Sequence, residues 1–184
     1  KAIQFPFVMS GHIVNIKHRT MDKKFWQETG ARKTVFGYDD IKNDYLIWTE
    51  GEFDKLSFEV VGELSCVSVP DGAPSRDSKD LSAKFSFIDD LKSRLDEVDT
   101  HIIAVDSDLP GKILAAELSK RLGPAKCKFV EWPEGCKDAN EILLKHGVDI
   151  LKDCISNAHD WNSESESRNL TFDAPLPLRR KLSP

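Results

Sequence analysis

Hydrophobic and polar positions divide the chain near residue 45. Before it, Phe5-Pro6-Phe7-Val8 and Ile13-Val14-Asn15-Ile16-Lys17-His18-Arg19 flank the turn signal Ser10-Gly11, a pattern that predicts a β-hairpin. Side chains alternate along a strand, so Val14, Ile16 and His18 share one face, and Asn15, Lys17 and Arg19 share the other. The second face is polar: any one lysine on it reads as solvated, whereas the basic cluster that it opens reads as a phosphate contact. Lys23 and Lys24 follow in a turn, with Phe25 and Trp26 behind them and Arg32 and Lys33 beyond. After residue 45, short apolar runs alternate with amphipathic ones. Strands are predicted at 46–49, 65–69, 101–105 and 126–130, and helices at about 54–61, 84–95 and 111–122. Gly62 and Gly123 stand where helix C-caps fall, with Pro124 after the latter. An amphipathic segment, Ile142 to Lys145, ends at His146-Gly147, and a last helix is predicted at about 148–157.

This alternation predicts an α/β fold, a parallel sheet of about four strands covered by helices on both faces. A small β-rich subdomain over 1–42 precedes the α/β domain over 43–158, and a tail over 159–184 follows. The tail is rich in Ser, Glu, Asn and Pro, and a composition that buries so little apolar surface is expected to stay disordered.

Two of the predicted strands end in acids. Leu46-Ile47-Trp48-Thr49 runs into Glu50-Gly51-Glu52-Phe53-Asp54, and His101-Ile102-Ile103-Ala104-Val105 runs into Asp106-Ser107-Asp108. In a parallel sheet both clusters arrive at the carboxyl edge, where open α/β sheets bind their ligands. Gly51 permits a tight strand-to-helix turn, and Glu52 is read as solvated. Asp108, just before Leu109-Pro110-Gly111, also suits a helix N-cap. Carboxylates crowded on one rim resist ionising together unless a cation neutralises them, and oxygen ligands favour magnesium or manganese over zinc. Such a site suits phosphoryl or nucleotidyl transfer. The loop Pro70-Asp71-Gly72-Ala73-Pro74-Ser75 is expected at the same rim.

Composition sharpens this picture. The 184 residues are 40% hydrophobic and 31% charged, and no run approaches the roughly 18 apolar residues of a membrane span. Residues 1–40 carry seven Lys/Arg against four Asp/Glu, a net +3 that leaves −8 for the rest of a chain whose total is −5. A basic front and an acidic remainder suggest a polyanion handled by the first part and a metal held by the second. Cys66, Cys127, Cys136 and Cys154 lack C-x-x-C spacing, which speaks for reduced structural thiols over a zinc ribbon.

Glu50-Gly51-x-x-Asp54 and Asp106-x-Asp108, each after a hydrophobic strand, resemble the two signatures of the TOPRIM domain, a Rossmann-like fold shared by DnaG-type primases, topoisomerases and several nucleases. Val14 to Thr20 with Lys24-Phe25-Trp26-Gln27, Val69-Pro70-Asp71-Gly72-Ala73 and Lys137-Asp138-Ala139-Asn140-Glu141 further resemble the primase half of Twinkle-like organellar and phage primase-helicases. The resemblance implies that Glu50, Asp106 and Asp108 are catalytic and hold Mg2+ or Mn2+, and that Lys17, Arg19, Lys24, Asp54 and Asp138 serve nucleotide or template binding. The implied activity is a DNA primase making short RNA primers from ribonucleoside triphosphates on single-stranded DNA. A replicative helicase or organellar DNA polymerase is the implied partner, and mitochondrion or chloroplast the implied location. The cysteines of the family's zinc module and a G-x-x-x-x-G-K-[ST] loop are absent from this stretch, so the expectation is a primase core that is either a piece of a longer protein or part of a helicase-less plant paralogue. Two alternatives stand beside it: a non-catalytic single-strand-binding or regulatory module, and a TOPRIM nuclease or topoisomerase. The latter is disfavoured because both tyrosines, Tyr38 and Tyr45, precede the acidic strand.

Overall fold

The structure, a computed structural model, describes residues 1–75 and 81–160. A three-stranded antiparallel sheet, ordered β1 (Ala2–Met9), β2 (His12–Thr20), β3 (Phe25–Gln27), leads into an α/β unit. That unit runs β4 (Tyr45–Thr49), α1 (Glu52–Val60), β5 (Cys66–Ser68), α2 (Ser82–Asp96), β6 (Thr100–Ile103), α3 (Leu109–Leu122), β7 (Cys127–Phe129), α4 (Ala139–His146), α5 (Val148–Ser156) and β8 (His159–Asp160). Its sheet has the order β5-β4-β6-β7-β8; the first four strands are parallel, and β8 pairs antiparallel with β7.

The expected α/β architecture is present, and alternation along β4 shows why its apolar run is unbroken. Leu46 and Trp48 enter one core with Phe85, Leu91 and Leu95 of α2 and Leu114 and Leu118 of α3. Ile47 enters the opposite core with Phe58 of α1, Ile142 of α4 and Leu151 of α5. A strand covered on both faces needs apolar side chains at every position. The four cysteines are free and buried, in keeping with structural thiols. Among the described residues no helix is long and apolar enough to cross a membrane.

Three features depart from the sequence reading. The edge strand β3, formed by the residues just behind the Lys23-Lys24 turn, is not among the predicted strands. His159 and Asp160 lie in the segment expected to be disordered, yet they pair with Phe129 and Lys128; residues 161–184 of that tail lie outside the described residues. The third departure concerns the polar face of β2, which is turned inward. Phe5 lies opposite Lys17 and Phe7 opposite Asn15, so these four residues share one face of the hairpin. Phe5 packs on Phe36 and Phe53 with ring centroids 5.9 and 5.4 Å apart, and Phe7 lies 5.3 Å from Phe36. Burying each ring contributes ~2 kcal/mol, and that gain carries Asn15 and Lys17 inside with them. Both polar side chains find partners there, Asn15 with Gln27 and Lys17 with Glu52.

The intervening segment ties the two sheets together. Phe36 bridges to Ser68, Asp39 accepts from the Ser10 and Gly11 N–H groups at 2.7 and 2.8 Å, and the buried Lys55 ammonium joins Asp40 at 2.8 Å and Glu59.

Candidate active site

The parallel pairing of β4 with β6 sets Trp48 opposite Ile103, and the Ala104 N–H continues the ladder to the Trp48 carbonyl at 2.8 Å. Glu50 and Asp106 therefore leave neighbouring strands at the same carboxyl edge. Opposite them runs the loop before α4, held to the rim by Trp132 Nε1 donating to the Val105 carbonyl at 2.8 Å and by the Ser107 N–H donating to the Lys137 carbonyl at 2.9 Å. This brings Asp138 to the acids of β4 and β6.

Glu50, Asp54, Asp106, Asp108 and Asp138 form one electrostatic cluster. Burial, then the Asp106 charge, pushes the Glu50 carboxyl up to about 7, against the opposing Ala73 N–H and Lys137. Burial, then Asp138, pushes Asp54 up to about 7, although its Oδ1 accepts from the Asn140 N–H at 3.1 Å. Burial also raises Asp106, and its ion pair with Lys137 at 2.7 Å works against that rise. Lys137 reaches Asp138 at 3.2 Å as well, and bonding to Asp106 holds its ammonium above the ordinary lysine range.

Two of the acids also start helices. Asp108 Oδ1 accepts from the Gly111 N–H at 2.9 Å, capping α3, and Asp138 Oδ1 accepts from the Glu141 N–H at 2.7 Å, capping α4. The cap reading of Asp108 is thus realised at a residue that also contributes charge to the rim. Gly111 makes the approach of α3 possible, because a Cβ there would lie 2.0 Å from the Asp106 carbonyl oxygen.

The donors fit a hard cation. All are carboxylate oxygens, and Glu50 Oε2 is buried with no hydrogen-bond partner among the described residues. Among the described residues no group of three His, Cys, Asp or Glu side chains is arranged to hold a metal ion by itself. A magnesium ion that keeps several waters and takes one or two carboxylates suits such an open set.

The basic face meets the rim from the other side. Lys17 Nζ donates to Glu52 Oε1 at 2.6 Å and to the Pro70 carbonyl at 3.1 Å. Glu52, expected in solvent, is buried; a hydrophobic hairpin face drew its partner inward, and a buried ammonium requires a counter-charge. Asp71, next in that loop, takes Lys33 at 2.7 Å and Gln27 Nε2 at 3.0 Å; burial opposes its ionisation, yet these partners hold its carboxyl below the usual range. Arg19 lies over the rings of Phe25 and Phe53, 5.4 and 4.8 Å from their centroids. Lys24 sits apart on the exposed β2–β3 turn, paired with Asp22 at 3.2 Å. Sequence reasoning missed Glu52, Lys137 and Asn140 as rim residues. Their flanking motifs were visible, but the pairings span 35, 31 and 86 residues. Tyr45 opens β4 at the end remote from the rim, where its hydroxyl donates to Glu63 at 2.6 Å, and so offers no nucleophile there.

Residues 47–143, which hold both strand-end acid clusters, match the family described as Toprim-like. The chain belongs to the Toprim-like family. Two curated relatives from Arabidopsis thaliana are similar to it: a primase homolog protein, 41% identical over 175 residues, and a Twinkle homolog protein, chloroplastic/mitochondrial, 39% identical over 171 residues. Those alignments take in 89% and 86% of this chain, which spans about half (52%) of the first relative and about a quarter (24%) of the second. Among solved structures, the primase fragment of the bacteriophage T7 primase-helicase superposes with a TM-score of 0.68 at 24% identity, covering 83% of this chain and 62% of that one. That likeness establishes a shared Toprim primase fold. The Toprim-like segment thus carries Glu50, Asp54, Asp106, Asp108 and Asp138, while the basic sheet lies upstream of it.

Proposed function

We propose that this chain is the catalytic core of a DNA primase that joins ribonucleotides on a single-stranded DNA template with magnesium or manganese. One observation carries the reading. Glu50, Asp106 and Asp108 converge on one carboxyl edge, in a chain homologous to primases, with a basic sheet locked against that edge. Glu50, Asp106 and Asp108 would hold the ion, directly or through its waters, and the ion would neutralise charge developing on the reacting phosphate. Asp54 and Asp138 support the site: Asp54 fixes the Asn140 N–H, and Asp138 caps α4 and shares Lys137 with Asp106. Arg19 and Lys24 meet the template or the triphosphate, and Lys17 holds the Pro70 loop in place. A primer 3′-hydroxyl attacks the α-phosphate of a ribonucleoside triphosphate, the new phosphodiester forms, and pyrophosphate leaves. The relatives' names support an organellar setting, mitochondrion or chloroplast, with a replicative helicase or organellar DNA polymerase as the working partner.

The test supplies single-stranded template, ribonucleoside triphosphates and magnesium to the full-length protein. Oligoribonucleotides that vanish with EDTA and with the double substitution Asp106→Ala, Asp108→Ala support the proposal; synthesis retained by that double variant refutes it. A second reading, a non-catalytic single-strand-binding module, draws on Lys137, which already neutralises part of the rim. Binding that persists in EDTA, with no incorporation by the full-length protein, would establish it instead.

A further inference from the structure

Phe25 is out of keeping with the other aromatic residues on its face. In the three-stranded sheet Phe5, Lys17 and Gln27 lie side by side in register, and Arg19 lies opposite Phe25, so all five residues share one face. Phe5 is buried on that face, whereas Phe25 is 51% exposed. Its ring is flanked by two cations, with Lys17 Nζ 5.5 Å and Arg19 Cζ 5.4 Å from the centroid, and Arg19 is fixed in turn over Phe53. Core packing gives no reason for a large ring to stand half in water between cations at a sheet edge. The same face leads to the acidic rim. Lys17 and Gln27 hold the Pro70-Asp71 loop, and the next residue, Gly72, lies beside Glu50, where a Cβ would make an ordinary contact 3.7 Å from Glu50 Oε1.

We propose that Phe25 is a stacking platform for one base of the single strand, with Arg19 placed to meet a flanking phosphate while the buried Lys17 holds the loop behind the ring. An exposed ring interleaved with cations supplies the two elements that bind single strands without reading sequence, a π-face for a base and positive charge along the backbone. The partner must be unpaired, because a base in a duplex has both faces stacked. Trp26, the other exposed aromatic of β3, lies on the opposite face, already stacked on His18 at 4.8 Å with the planes 2° apart, and it serves as the internal control. The proposal rests on the reading that this chain handles single-stranded nucleic acid.

The experiment is fluorescence anisotropy with 5′-labelled oligothymidylates, unmodified and with single abasic positions, using wild type, Phe25→Ala, Phe25→Trp and Trp26→Ala. Phe25→Ala is expected to weaken binding about 5- to 100-fold. The salt slope should be unchanged, because no phosphate contact is lost. Phe25→Trp should restore affinity. One abasic position should weaken wild type by a similar factor while costing Phe25→Ala nothing further, and Trp26→Ala should keep the full abasic penalty. An abasic penalty that survives Phe25→Ala, or one that Trp26→Ala erases, overturns the platform. Wild type that binds no oligothymidylate overturns the functional reading on which it rests, a result distinguishable before any variant is measured.

Discussion

Replacing Glu52 by alanine strands the Lys17 ammonium between the two sheets, and the structure sets the size of the effect. The pair is 2.6 Å long, with side chains only 10% and 3% exposed. At an effective dielectric constant near 20 the attraction at that distance is about 6 kcal/mol, most of which offsets the desolvation of both charges. The intact pair is therefore worth little compared with an apolar pair of similar shape. Removing one member leaves a buried charge with only the Pro70 carbonyl, a loss of about 3–5 kcal/mol. Against a total stability of about 5–15 kcal/mol this is large. Urea titration followed by tryptophan emission, to which the buried Trp48 contributes, reads it directly. Lys17→Met together with Glu52→Gln should recover to within about 1 kcal/mol of wild type, because neither leaves a charge unpaired. Asp96→Ala, which breaks the exposed Lys92–Asp96 pair (64% and 61% exposed), should cost no more than about 1 kcal/mol. A Glu52→Ala loss as small as that of Asp96→Ala, or a double variant no better than the single one, would refute the account of this pair as a buried strut.

Three further outcomes follow from the rim. Gly111→Ala places a Cβ 2.0 Å from the Asp106 carbonyl oxygen, so α3 must shift; a loss of about 1–3 kcal/mol in urea titration and weaker magnesium binding are expected, and an unperturbed variant contradicts the close approach. Asp108→Asn keeps a capping oxygen for the Gly111 N–H and should hold stability while lowering magnesium-dependent synthesis, whereas Asp108→Ala should also lose about 1 kcal/mol; equal stability of the two denies the cap. The Asp54 carboxyl is raised in the folded state from an ordinary 3.8 to about 7, so the fold binds this proton more tightly than the unfolded chain does, and the metal-free protein loses stability as pH rises from about 4 to about 7. Asp54→Asn, which retains an acceptor for the Asn140 N–H, should be more stable than wild type above about pH 7 and lose that advantage below about pH 4; no difference at high pH would contradict the rise.

The sequence by itself determined the α/β unit and the location of its acids. An apolar run as short as Leu46 to Trp48 that ends in Glu50 is strand-like wherever it sits, and strand–helix alternation leaves parallel pairing as the compact solution, so local pattern alone puts Glu50 and Asp106 on one rim. Helix ends were legible for the same local reason: Gly62 and Gly123 adopt positive φ of 91° and 96° just past α1 and α3. Only the tertiary structure decided which face of β2 is inside. Periodicity separates Asn15, Lys17 and Arg19 from Val14, Ile16 and His18, but which set is buried depends on the register with β1 that places Phe5 and Phe7. The counter-charges were equally hidden. Lys17 meets Glu52 across 35 residues and Lys137 meets Asp106 across 31, and charge complementarity at that separation exists only once the chain has folded. Local pattern is written in neighbouring residues, whereas burial and ion pairing are properties of surfaces the fold brings together.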